Sequence, residues 1–294
     1  MIEDTDSIAI YGEHGGYLGQ FYFSFYDFFS SKDKNLFLKR LELAHDKNKI
    51  LFIHLAKTAG SSIINHFGEY YYSYHPPSLY SKLAVERNTF IRSHVKRSSL
   101  EDFNLSDASK ITFFRNPKDR IISLYYYSRY NNMHEFPDSL DLLGYLKSRN
   151  GFVGEGNFDF YIDNIYTRYF TSRNIKTGDE IRKSDVDEAL KYIKTLDFIG
   201  ITENFDEDLD RLSDYYYMPK PQKKIIANSF KQNNIVYEKR TKKKMEREAI
   251  APEIERELDR LTKYDYIIYN AAKKIRDEQV KKWKAGEMKR AMGD

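Results

Sequence analysis

The chain has 294 residues, 48 Lys and Arg against 44 Asp and Glu, a net charge of +4 and no Cys. That length allows one large α/β domain or two small ones with a substantial core, and the missing Cys excludes disulfides and thiolate metal sites. No apolar run reaches the ~20 residues of a membrane span and no charged-then-apolar leader opens the chain, so a soluble, cytoplasmic protein is expected.

Along residues 1–48, Ile8–Gln20 is Gly-rich and reads as irregular, and Asn35–His45 reads as a helix with Leu36, Leu38 and Leu41 inward. We read 1–48 as an N-terminal extension packed on the core, and 49–294 as a single domain. Leu51–Leu55 is a short apolar run that fits a buried strand. Gly60 then permits a tight turn and close backbone approach to a ligand, and Ser61-Ser62-Ile63-Ile64 opens a helix with a Ser cap. The first turn of a helix attracts anions through its N–H groups and partial positive charge. Lys57 adds a full charge there, and Thr58, Ser61 and Ser62 add hydroxyls. The Lys precedes the Gly, so this is not a Walker A loop.

A second junction of the same kind follows. Ile111–Phe114 reads as a strand ending at Arg115. Asn116 suits a helix cap and Pro117 a first helical position, where a missing N–H costs nothing. Pro117 to Tyr130 reads as a helix with Ile121, Leu124, Tyr125 and Ser128 on one side. Arg115, Arg120 and Ser123 are anion-binding candidates, since Arg can grip a phosphate through two parallel hydrogen bonds. Arg120 reads equally well as a helix-surface charge. Two such junctions suit a ligand carrying phosphate or sulfate groups at both ends.

Further on, a helix is expected over Ser184–Leu196 with Ser184 as cap, a strand over Phe198–Thr202 and a helix over Asp206–Tyr217. One C-terminal helix is expected from Pro252, with Ile254, Leu258, Leu261, Ile268 and Ile275 at 3–4 spacing, fraying beyond Asp277. The alternation predicts an α/β fold with a mostly parallel central sheet flanked by helices. Pro219–Arg247 holds ten Lys and Arg against two Asp and Glu. It reads as a solvated face or an anion-binding patch; without a recognised motif, no nucleic-acid partner is expected. Tyrosines at 70–74, 125–130 and 215–217 suit either core packing or stacking on sugar rings.

The segments FIHLAKTAGSS (Phe52–Ser62) and RNPKDRIIS (Arg115–Ser123) resemble the two phosphate-binding motifs of the PAPS-dependent sulfotransferases. The likeness is to the carbohydrate branch that includes heparan sulfate 2-O-sulfotransferase. Ala59 stands where that family usually has Gly, so a positive φ there would carry a cost. The segments around His94-Val95, Asp163–Arg168, Phe198–Leu212 and Asp265–Ala272 resemble further motifs in the same order.

The resemblance implies a P-loop-like sulfotransferase fold, PAPS as sulfuryl donor and PAP as product. It assigns Lys57, Thr58, Ala59, Gly60, Ser61 and Ser62 to the 5′-phosphosulfate and Arg115 and Ser123 to the 3′-phosphate. It makes His94 the general base and Lys57 the group that stabilises the leaving phosphate. Arg168 would face the acceptor or brace the site, and the acceptor would be a hydroxyl on a glycan. Neither a metal nor a membrane partner is implied. A small-molecule or phenolic acceptor, a nucleotide kinase with an atypical loop, and a non-catalytic binder of PAP or an anionic polymer remain alternatives.

Overall fold

Short runs of β-branched and aromatic residues form five parallel strands: β1 (Ile50–Ile53), β2 (Ser73–Tyr74), β3 (Phe90–Ser93), β4 (Ser109–Phe114) and β5 (Phe198–Ile201). Their order is β2-β3-β1-β4-β5. All four residues of β1 are buried, as expected where helices cover both faces of a parallel sheet. The computed structural model describes residues 49–68, 73–74, 90–94, 96–99, 105, 108–130, 139–148, 162–176, 179–216, 218, 220, 235–237, 244–246 and 248–287. They belong to one unit, Lys47–Asp294. The N-terminal extension with its Asn35–His45 helix, Tyr70–Tyr72, and most of the basic 219–247 segment lie outside the described residues.

Alternating side chains of the strands face two helical layers. Ile50, Phe52, Phe90, Ile111, Phe113 and Phe198 pack against α1 (Gly60–Gly68) through Ile63 and Phe67. The same face meets Leu209 and Leu212 of a helix, Phe205–Tyr215, labelled α6 in chain order. Leu51, Ile53, Ile91, Phe114, Ile199 and Ile201 point the other way. They meet α4 (Ile165–Phe170), α5 (Lys183–Ile193) and α8 (Asp265–Lys284). A third cluster joins α2 (Pro117–Tyr130), α3 (Leu142–Lys147) and α7 (Pro252–Thr262). Ile235–Tyr237 and Lys244–Glu246 form a separate antiparallel pair, β6 and β7.

Among the boundaries that differ from the sequence reading, three have a cause visible in the hydrogen bonds. The C-terminal helix is broken at Lys263-Tyr264 into α7 and α8, and α8 continues past Asp277 to Lys284. The break has a tertiary cause. Asn164 Oδ1 accepts from the Tyr264 amide (2.8 Å) and the Asp265 amide (3.3 Å), while the Asn164 amide donates to Leu261 O (2.8 Å). Helix α5 begins at Lys183, and its first turn is tied by Asp185 Oδ2 accepting from the Arg182 amide (2.7 Å) rather than by Ser184. Helix α1 begins at Gly60 rather than with a Ser cap, with Ala59 O accepting from Ser62 N (3.0 Å) and Ile63 N (3.3 Å).

Candidate active site

The chain leaves β1, β3 and β4 at the same edge of the sheet. In open parallel sheets, ligands bind beyond the C-terminal strand ends where the strand order reverses. Here β1 is central, with β3 on one side and β4 on the other. The loop after β1 carries Lys57, the end of β3 leads to His94, and the end of β4 leads to Arg115.

Strand register sets the histidines side by side. Ile53 pairs with Ser93, so the next residues, His54 and His94, extend from adjacent strands. Their rings stack with centroids 4.2 Å apart, and the His54 ring also stacks on Phe52. His94 Nδ1 lies 2.6 Å from His54 O. A carbonyl only accepts, so the proton sits on Nδ1 and Nε2 carries the lone pair that a general base needs.

Gly60 serves this arrangement in a way its sequence context did not suggest. Its φ is not positive; the left-handed residues of the loop are Lys57 (φ 69°) and Ala59 (φ 66°). A Cβ on Gly60 would lie 1.7 Å from His54 Nε2. Glycine is therefore needed for space beside the ring, while Lys57 and Ala59 carry strain of about 1–2 kcal/mol each. Such strain persists only where neighbours over-determine the conformation.

Those neighbours come from the second junction. Arg115 Nη1 donates to Lys57 O (3.2 Å), and Lys57 Nζ lies 3.6 Å from the centre of the Tyr127 ring on α2. Burial, and then the adjacent Arg115 charge, pull the Lys57 ammonium down from its usual 10.5 to about 7. Burial also lowers Arg115, against the pull of Asp119 and Glu203. Two cations crowded out of water form a site that an anion would relieve.

The backbone around Arg115 is pinned from behind. Tyr166 of α4 donates from its hydroxyl to Arg115 O (2.6 Å) and accepts from the Arg115 amide (3.2 Å). Glu203 Oε1 accepts from the Asn116 amide (2.8 Å), and Tyr269 OH donates to Glu203 Oε2. Asn116 Oδ1 caps α2 by accepting from the Lys118 amide (3.1 Å) and the Asp119 amide (3.3 Å). Asp265 Oδ1 accepts from the amides of Tyr166 (2.9 Å) and Thr167 (3.3 Å), capping α4. Burial raises its carboxyl to about 7, with the Arg120 charge opposing.

Several sequence expectations change. Arg120 is fully buried and is not a surface charge. Thr58 donates its hydroxyl to Leu55 O (2.8 Å), so that donor is spent inside the loop. Ser62 and Ser123 are buried near the two junctions and Ser61 is exposed. Arg168 does not face an acceptor: it is 1% exposed. Its guanidinium binds Asp163 Oδ2, Asp163 O (2.8 Å), Lys176 O (2.6 Å) and Asp179 O (3.2 Å). It braces the loop after α4. Tyr125, Tyr126, Tyr215 and Tyr216 are buried in the core and present no face to a sugar.

The sequence reading gives Tyr127, Tyr166, Glu203 and Asp265 no individual role in the site, only membership of the 125–130 tyrosine cluster or of the matched segments. Each carries a usable signal: Tyr127 lies four residues after Ser123 and so on the same helix face, while Tyr166, Glu203 and Asp265 fall inside the segments that resemble family motifs. Among the described residues, no group of three or more His, Asp or Glu is placed to hold a metal ion. A family model for the sulfotransferase domain matches residues 25–277. The match begins upstream of Phe52, where the first motif segment starts. No curated protein matches the chain significantly.

Proposed function

The chain belongs to the sulfotransferase domain family, and from that premise we propose that it moves a sulfuryl group from PAPS to a carbohydrate hydroxyl, using His94 and Lys57. The observation that carries this reading is the convergence of Lys57, His94 and Arg115 at one sheet edge, with both cations half-buried and His94 held in the tautomer of a base. The residues fit the donor: the depressed Lys57 and Arg115 mark a site short of negative charge.

Bound PAPS supplies a sulfuryl group already activated by its bond to a phosphate oxygen. His94 Nε2 takes the proton of the acceptor hydroxyl as that oxygen bonds to sulfur. Lys57 would neutralise the charge gathering on the oxygen that departs with the phosphate, the kind of preorganised stabilisation that dominates many enzymes. The amides of Ala59, Gly60 and Ser61 and the hydroxyls of Ser61 and Ser62 would meet the 5′ end at the start of α1, the Ser62 amide being spent on Ala59 O. Arg115 and Ser123 hold the 3′-phosphate. The glycan acceptor rests on the motif resemblance.

The test is calorimetric titration with PAP, beside ATP, followed by transfer from labelled PAPS to glycan and phenolic acceptors. Wild type should bind PAP more tightly than ATP. His94→Ala should keep PAP binding and lose about 10²–10⁴-fold in transfer. Transfer only to phenols would overturn the carbohydrate acceptor; PAP binding with no transfer would leave a nucleotide-binding protein.

A further inference from the structure

The side chain of Lys57 ends on an aromatic face. Its ammonium lies 3.6 Å from the centroid of Tyr127, and among the described residues no carboxylate pairs with it. Its main chain is held at the other end, where Lys57 O accepts from Arg115 Nη1 in a left-handed conformation that Lys seldom adopts. Both clamps come from the second junction: Arg115 follows β4, and Tyr127 lies one turn beyond Ser123 on α2. The two ends of the site are thus joined through one lysine.

We infer that Tyr127 is a positioning residue that holds the Lys57 ammonium, charged, at the mouth of the anion site until the ligand arrives. The inference rests on the PAPS reading of that site. Its chemistry differs from that of a salt bridge. A carboxylate would favour the cation but occupy its N–H donors and repel an incoming phosphate. A ring face attracts the cation through its quadrupole, carries no net charge and leaves donors for the ligand. Holding the cation also opposes the groups that discharge it. Burial and the Arg115 guanidinium both favour neutral Lys57. Asp119 and Glu203 support the charge of Arg115, and the ring supports that of Lys57 from α2. Without the ring, Lys57 would be neutral over more of the working pH range and its stem would be less ordered.

The experiment is PAP titration from pH 6 to pH 9 on wild type, Tyr127→Phe and Tyr127→Leu, with thermal unfolding of each in parallel. Tyr127→Phe keeps the face and should match wild type. Tyr127→Leu should bind about 10-fold more weakly at pH 8, with its alkaline decline displaced to lower pH, and approach wild type at pH 6. Equal loss at every pH, or a Phe variant as poor as Leu, would overturn the inference, since either shows packing or the hydroxyl at work. Failure of wild type to bind PAP would sink the PAPS reading instead. The hold on Lys57 is then read in the unliganded chain from the NMR titration of the lysine Cε. Lys57 titrating lower in Tyr127→Leu than in wild type supports the inference, and identical titration refutes it.

Discussion

Replacing Lys57 by Met should stabilise the ligand-free protein while destroying its nucleotide site. Lys57 titrates at about 7 in the fold against an ordinary 10.5. That difference corresponds to a penalty of about 5 kcal/mol on the charged form. The folded value lies below the unfolded one, so between pH 7 and 10.5 the unfolded chain binds more protons, and wild-type stability rises with pH across that window. Below pH 7 the penalty is present in full. Met fills the space of the aliphatic stem without the charge. Contact with solvent and the Tyr127 ring already relieve part of the penalty, so Met should recover about 2 kcal/mol at pH 6.5. The gain should shrink toward zero near pH 10. Thermal or urea midpoints of both proteins from pH 6.5 to 10, without nucleotide, read this directly, and groups common to both cancel in the difference. A difference that does not vary with pH, or a wild type more stable than the variant at pH 6.5, would refute the assignment of Lys57 as a destabilised cation. PAP binding by Lys57→Met should be lost throughout.

Other perturbations follow from the same geometry. Gly60→Ala puts a methyl into the His54 ring; it should cost about 1–3 kcal/mol and lower sulfuryl transfer by displacing the His54–His94 stack, measured by unfolding and by initial rates. Tyr166→Phe removes both contacts to the Arg115 backbone, so PAP should bind about 10-fold more weakly by calorimetry, with the secondary structure intact by circular dichroism. Asp265→Ala leaves two α4 amides without their acceptor and removes the charge facing Arg120. It should cost about 3 kcal/mol in denaturant unfolding. Arg168→Lys should lower the unfolding midpoint, because one ammonium cannot replace the contacts of the guanidinium, while KM for the acceptor stays unchanged in the folded enzyme.

What local sequence determined is what depends on neighbouring residues. The apolar run at β1 and the Asn116-Pro117 start of α2 are readable because strand burial, capping and proline geometry act within a few positions. Lys57 and Arg115 are legible as anion-binding candidates for the same reason: each sits where a strand hands over to a helix. What only the tertiary structure decided is which groups those residues meet. Gly60 is glycine because a ring fixed by strand register lies against it, and the turn strain falls on Lys57 and Ala59 instead. Arg168 and Arg120 look alike as helix arginines until burial is known, and both are inside. The break between α7 and α8 is invisible to a helical repeat, since its cause, Asn164, lies about a hundred residues upstream. The arrangement of the candidate site likewise joins residues 54, 57, 94, 115 and 127. Pairing between distant strands sets it, and no local propensity encodes that pairing.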